Sequence, residues 1–297
     1  AEWSSYLALV EATKFKNSWA GFNAERKNWA YRQDQLSSTH PIATDMVDID
    51  TVKANFDGIT YAKGASVLHQ LVAHVGRDNF IKGLQKYFAK HAFKNTVLSD
   101  LLVELEATSG RDLSSWVSTW LQTSGVNTLR PVIESNGDSY KSISIKQEAP
   151  KIPAGSSELR PHRAAVGLYD LKDGQLLRRK SVELDITGDL TQVKELSGEK
   201  LADLILINDH DLTYAKIRFD ARSIATLKAH LGKLDDGLSR ALCWSAAWDM
   251  FRDAELSATD FVEIALTGLA GEDDITTVTA LMSQLNTAVE IYAADKN

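Results

Sequence analysis

Ile59-Thr60-Tyr61-Ala62-Lys63-Gly64-Ala65-Ser66-Val67-Leu68 leads a tyrosine and a run of small residues into an amphipathic stretch. Val67, Leu68, Leu71, Val72 and Val75 recur with the spacing of one helix face. Gly76 stops that helix, and Asp78 is placed to cap the next. The second helix carries Phe80, Leu84, Tyr87, Phe88 and His91 on one stripe. A third bears Leu98, Leu101, Leu102 and Leu105 and stops at Gly110. Asp112 then caps a fourth, with Trp116, Val117, Trp120 and Leu121, running up to Gly125. On the other side, Leu36-Ser37-Ser38-Thr39-His40-Pro41 reads as a loop. Residues 1–125 are therefore expected to form an all-helical packing unit.

From about 126 to 220 the period changes to two. Ser142-Ile143-Ser144-Ile145-Lys146 alternates as a half-buried strand does, and Asn136-Gly137 ahead of it is a hairpin-turn signal. Further strands are expected over 165–171, 176–186, 204–207 and 214–219, with turns at Asp173-Gly174 and Gly188-Asp189. Short strands at this spacing suggest a small β-sandwich. Pro150, Pro153 and Pro161 fall between strand candidates and suit a long inter-strand loop. After Asp220 the helical period returns. Ala241, Trp244, Ser245, Trp248 and Phe251 form one stripe; Phe261, Ile264, Ala265 and Leu269 a second; Val278, Leu281, Met282, Leu285, Val289 and Tyr292 a third.

A chain of 297 residues accommodates two or three domains and a sizeable core. Its 44% hydrophobic and 25% charged content is that of a folded globular protein. The net charge of -7 argues against a general nucleic-acid binder, which neutralises phosphates with clustered Lys and Arg. Arg178-Arg179-Lys180 is too short a run to overturn that. The single Cys243 rules out an internal disulfide, fits a reducing compartment, and sits in a helical pattern as a buried structural thiol. No apolar run approaches the ~20 residues that span a bilayer.

The histidines offer no metal centre. His69 and His74 are five apart, roughly 140° around a helix, whereas chelation from one face uses a spacing of four. His40 is read as a loop residue, and His91 as satisfying a core hydrogen bond. Asn208-Asp209-His210-Asp211 is the best alternative cation cluster, although such residues usually make a turn. Arg160-Pro161-His162-Arg163 is read as a solvated loop, with a peptide carboxylate or a neighbouring domain as alternative partners. Lys63-Gly64 imitates the end of a phosphate-binding loop, but the upstream glycine and the following hydroxyl are misplaced. Gly64 and Ala65 are expected to let their helix pack closely beneath the site.

The Tyr61 segment, with Phe56-Asp57-Gly58 before it and His69-Gln70-Leu71 after it, resembles the part of the aminopeptidase N family (gluzincin zinc aminopeptidases) that carries the catalytic tyrosine. Tyr87-Phe88-Ala89-Lys90-His91-Ala92-Phe93-Lys94-Asn95-Thr96 and Trp116-Val117-Ser118-Thr119-Trp120 are similar to sequences of that family's helical catalytic lobe. Leu206-Ile207-Asn208-Asp209 with Tyr214-Ala215-Lys216-Ile217-Arg218 is similar to the end of its β-domain. Ser239-Arg240-Ala241-Leu242-Cys243-Trp244 and Trp248-Asp249-Met250-Phe251-Arg252-Asp253 resemble the start of its C-terminal helical domain. The resemblance implies a multidomain α+β architecture. Residues 1–125 would be the helical lobe of a thermolysin-like catalytic domain, 126–220 a β-sandwich, and 221–297 the beginning of a solenoid-like helical domain.

The family's zinc motif, His-Glu-x-x-His, occurs nowhere in the chain. Ala1-Glu2-Trp3-Ser4-Ser5-Tyr6-Leu7 looks like the family sequence that follows the third zinc ligand, so the chain is expected to be the C-terminal part of a longer enzyme. In the family a zinc ion held by two His and one Glu polarises the scissile carbonyl, and a second Glu is general base. The tetrahedral oxyanion then needs a hydrogen-bond donor. A phenol, with an ordinary pKa near ~10, donates that bond without carrying charge at neutral pH. The resemblance assigns this role to Tyr61, and loss of such a donor typically slows a reaction by on the order of 100- to 1000-fold.

The expected function is thus part of a zinc aminopeptidase acting on peptides, cytoplasmic, with its zinc ligands upstream and no metal bound by this chain alone. The expected partners are a peptide substrate and the missing N-terminal part of the same polypeptide, with no nucleic acid and no membrane. The alternative is a non-catalytic peptide- or protein-interaction scaffold. An epoxide-hydrolysing relative on the same architecture is a third possibility.

Overall fold

The computed structural model describes residues 1–293. Helix α1 (Glu2–Ala12) is followed by one continuous rod made of α2 (Ser18–Gly21), a π-helical turn (Phe22–Lys27) and α3 (Asn28–Gln33). A short α4 (Ile49–Ala54) starts where the Asp48 carboxylate accepts the Thr51 N–H. A second π-helical turn (Ile59–Lys63) then runs directly into α5 (Gly64–Val75). Helices α6 (Arg77–His91), α7 (Leu98–Ser109) and α8 (Ser114–Leu121) complete the helical part. Gly76 and Gly110, both with positive φ, close α5 and α7 as their positions suggest. A core of Trp3, Phe22, Tyr31, Leu71, Phe80, Leu105 and Trp120 lies among these helices.

Seven strands follow: β1 (Thr128–Asn136), β2 (Ser139–Glu148), β3 (His162–Lys172), β4 (Gln175–Ile186), β5 (Leu190–Gln192), β6 (Leu204–Asp209) and β7 (Lys216–Ile217). They form two sheets, ordered β5-β2-β1-β7 and β4-β3-β6. The first hairpin turns on two residues, with Asn136 opposite Ser139 and Gly137 at positive φ. The second turns on Asp173-Gly174, both at positive φ, with Lys172 opposite Gln175. All six residues of β6 are buried, because the strand is covered by α9 (Ala221–His230) and α10 (Gly237–Arg252). Helices α11 (Ala258–Leu269) and α12 (Ile275–Thr287) end the described fold, apart from a last π-helical turn, Ala288–Tyr292. Asp220, Asp236, Ser257 and Asp274 each cap one of these four helices through their side chains. The sheets and these helices share a single apolar core, in which Leu168, Leu204 and Ile207 meet Leu227, Cys243 and Phe261.

Several readings of the sequence need correction. Asp78 does not cap α6; Gly76 occupies the N-cap, and Asp78 lies inside the first turn. Phe88 is 63% exposed, because α6 packs on α7 through Phe80 and Gly83, where a Cβ would come within 2.7 Å of Leu105. His91 satisfies no core hydrogen bond; its Nε2 is buried without a partner, and its ring rests near Tyr87. Helix α8 ends at Leu121, four residues short of Gly125. The expected packing role of Gly64 also fails, since the nearest atom to a Cβ there is the Ile59 carbonyl at 3.7 Å.

Candidate functional site

Tyr61 sits in the middle of the Ile59–Lys63 π-helical turn. One extra residue in a helical turn weakens the ladder, so such turns persist only where neighbours hold them, often at functional sites. Here the N-terminal side is held by Asp57, whose Oδ1 accepts the N–H groups of Ile59 (2.9 Å) and Thr60 (3.1 Å). The Asp57 Oδ2 meets His40 Nε2 at 3.0 Å, which gives the loop histidine its place. Gln33 Oε1 accepts the Gly58 N–H at 2.6 Å. A Cβ on Gly58 would lie 2.6 Å from that oxygen and 2.9 Å from the Trp29 ring, so only glycine fits the approach.

The C-terminal side is held by charge. Lys63 Nζ lies 2.8 Å from Asp34 Oδ2, and both side chains are 0% exposed. Asp34 also accepts the Gly125 N–H (2.8 Å) and the Thr39 hydroxyl (2.6 Å) on Oδ1, and the Tyr214 hydroxyl (3.3 Å) on Oδ2. Burial pushes the Lys63 ammonium down to about 8, opposed by the attraction of Asp34.

Tyr61 is half-buried, with its ring edge-on to Phe56 at 4.9 Å between centroids. Tyr31, Tyr140, Tyr169 and Tyr214 all commit their hydroxyls to hydrogen bonds, whereas that of Tyr61 has no partner among the described residues. It lines an apolar cleft of about 500 Å³ together with Trp3, Ile42, Leu68, Leu101 and Trp116. The site therefore offers an uncommitted phenol at the edge of an apolar surface. That arrangement can donate a hydrogen bond to a reacting oxygen.

The other candidate residues do not join it. His69 accepts from Trp3 Nε1 at 3.0 Å, and burial holds its imidazole down to about 4, hence neutral. His74 faces Arg111. Asn208-Asp209-His210-Asp211 is a turn whose carboxylates are used internally: Asp209 binds Arg178 and Tyr169, and Asp211 binds Lys27. Among the described residues no group of three or more His, Cys, Asp or Glu is arranged to hold a metal. The residues present do not fit a zinc site. The expectation of a solvated loop at 160–163 is overturned. Arg160 is 1% exposed and ties Thr119, Thr123, Ser124 and Asn127, while His162 is buried between Thr213 and Gln147. Cys243 is a buried thiol, its pKa pushed up by burial.

Sequence reading missed Asp34, Asp57, Gln33 and the role of Lys63. One signal was present: Lys63 lies on the stripe Ile59, Lys63, Val67, Gln70, all buried, where an unpaired lysine would be untenable.

Residues 1–120 match the description "Peptidase family M1 domain", and residues 204–297 match "ERAP1-like C-terminal domain". The chain is 53% identical over 292 residues to "Aminopeptidase N" of Streptomyces lividans, covering 97% of this chain and 34% of that protein. The chain belongs to the aminopeptidase N family. "Aminopeptidase M1-B" of Oryza sativa subsp. japonica is 31% identical over 233 residues, 77% of this chain and 26% of its own length. "Tricorn protease-interacting factor F2" of Thermoplasma acidophilum is 25% identical over 303 residues, 100% of this chain and 35% of its own. The chain thus spans about a quarter to a third of the length of these relatives. The first match covers the helical part and contains the Tyr61 turn, whereas the second begins at β6 and runs on through β7 into the C-terminal helices. No helix among the described residues is long and apolar enough to cross a membrane.

Proposed function

We propose that the longer protein to which this chain belongs is a zinc-dependent aminopeptidase that removes N-terminal residues from peptides, with Tyr61 as the donor that stabilises the oxyanion. The observation that carries this reading is the uncommitted Tyr61 phenol, held in a π-helical turn at an apolar cleft. In this reading 1–125 is the helical lobe of a thermolysin-like catalytic domain, 126–220 a β-sandwich, and 221–297 the start of a helical solenoid-like domain. Zinc, its ligands and the general base fall to sequence upstream of Ala1. The cleft beside Tyr61 is lined at one side by Ala1, Glu2 and Trp3. The chain's own contribution is to hold the Tyr61 phenol where negative charge develops. Alone it is inactive, because a donor without an activated nucleophile has nothing to stabilise. A cytoplasmic location belongs to the same reading and leans on the lone, buried Cys243.

Hydrolysis of an aminoacyl-arylamide tests this, using the chain alone and the chain joined to its native upstream sequence, with zinc supplied to both. Activity only in the joined form, lowered about 100- to 1000-fold by Tyr61→Phe, is expected. Activity in neither form points to the scaffold reading, and full activity of Tyr61→Phe removes the phenol from the mechanism.

A further inference from the structure

The Lys63–Asp34 pair poses a question that stability does not answer. Burying two charges is expensive, and an isolated buried pair rarely repays the loss of hydration. Lys63 repays it poorly: its only anionic neighbour among the described residues is Asp34, at 2.8 Å, and no second acceptor meets the ammonium there. The guanidinium of Arg160 repels it, while the Tyr214 ring, with its centroid 5.6 Å from Nζ, and the Tyr31 phenol beyond complete its surroundings. Apolar residues at both 34 and 63 would pack there at less expense. What the pair does provide is a fixed length. It ties the last residue of the π-helical turn to the end of the α2–α3 rod, two positions from Tyr61.

We propose that the Lys63–Asp34 pair is a strut that sets the pitch of the π-helical turn, which makes Lys63 a positioning residue for the Tyr61 phenol. The inference rests on the reading of Tyr61 given above. With Asp57 and Gln33 fixing the near side of the turn and Asp34 the far side, the phenol has little freedom to slide along the cleft. If the strut goes, the turn relaxes towards ordinary α-helical pitch. The one surplus residue then rotates the segment by roughly 100° in total, shared over its length. A displacement of about 1 Å at a reacting group slows catalysis by about 100-fold.

The strut also carries its own pH mark. Lys63 loses its proton near 8, so the pair is uncharged on that side at alkaline pH. The sign for stability is opposite. Between about 8 and the usual lysine range the unfolded chain binds more protons than the folded one, so this group's contribution to stability rises with pH. An alkaline decline in kcat attributable to Lys63 is therefore not unfolding.

The test uses the chain joined to its native upstream sequence, assayed on the same arylamide. Lys63→Met is expected to lower kcat about 10- to 100-fold with KM nearly unchanged. The double variant Tyr61→Phe/Lys63→Met should be no slower than Tyr61→Phe, because a strut acts only through what it positions. Lys63→Arg, whose guanidinium stays charged, should keep most of kcat and move the alkaline limb from near 8 to beyond the working range. This variant keeps the proposal testable even where Lys63→Met does not fold. Losses that add in the double variant, or an alkaline limb that stays in place with arginine, overturn the strut while leaving Tyr61 in its role. An unaffected Tyr61→Phe overturns both.

Discussion

Two π-helical turns in this molecule are built alike and embedded differently. Each follows a glycine, Gly21 or Gly58, and each ends in a buried lysine, Lys27 or Lys63, paired with an aspartate. Lys27 is fully engaged: its ammonium reaches Asp211 Oδ1 at 2.5 Å and the Thr213 carbonyl at 2.6 Å. Asp211 in turn accepts from Asn23 and Asn208, and Asn208 closes the ring through Thr213. Lys63 has one carboxylate and, among the described residues, no second acceptor. The first turn is a closed polar knot that ties the helical part to the end of β6. The second is half-satisfied and borders an open cleft. Saturated polar networks specify structure, and under-satisfied ones mark places where something other than stability is being maintained.

The sharpest way to break this comparison is Lys27→Met. It removes two charge-assisted bonds and leaves Asp211 buried with only amide donors, so a loss of about 3–5 kcal/mol is expected. Urea unfolding of the chain measures it. A loss below about 1 kcal/mol would mean that the knot is no better satisfied than the strut.

The next effect is set by pH, because the knot is flanked by neutral histidines. Burial, helped by the Arg160 and Lys27 charges, holds His162 down to about 3, and burial holds His69 down to about 4 against the pull of Asp211. The unfolded chain therefore binds more protons between these values and about 6.5, and stability should fall as pH drops through that window. Asp249 opposes this. Its carboxyl is pushed up to about 7 by burial, so its contribution to stability improves as pH falls. Two histidines against one aspartate give a net acid loss. His162→Gln should make the unfolding midpoint less sensitive to pH between 6.5 and 4; an unchanged slope would clear His162 of any part in it.

How much of this was legible depends on distance along the chain. The helix stripes and both two-residue hairpins follow from local patterns; Asp173-Gly174 is the second turn itself, whereas the first turns on Gly137-Asp138, one residue beyond the Asn136-Gly137 signal. Tyr61 stands out as a candidate through its neighbours in a short motif. The pairs that hold it were not: Lys63 and Asp34 lie on separate elements, and Lys27 and Asp211 are 184 positions apart. Nor does a π-helical turn announce itself, since one surplus residue in a stripe shifts its phase without breaking it. The misreading of Arg160 has the same origin. Beside Pro161, with Glu158 and Arg163 close by in sequence, it looks solvated, and only the fold supplies the Thr119 and Ser124 carbonyls that bury it.

The glycines that precede the two turns sharpen the comparison at the smallest scale. Both have ordinary helical φ, so neither is there for backbone freedom. At Gly21 a Cβ would meet only the Thr276 side chain at 3.5 Å, an ordinary contact. At Gly58 it would press on Gln33 Oε1 and the Trp29 ring at 2.6 and 2.9 Å. The Trp29 ring is braced by Arg26 across its face, so it has little room to yield. Gly58→Ala should therefore destabilise by about 1–3 kcal/mol through overpacking. Gly21→Ala should be neutral or stabilising by about 0.4–1 kcal/mol, since alanine restricts only the unfolded chain there. Paired thermal melts of the two variants decide it. Equal losses would show that the turns tolerate a side chain alike, and that the tight contact at Gly58 does nothing to hold the Tyr61 turn in register. A loss confined to Gly58→Ala would place the precision of this molecule on the side of the cleft.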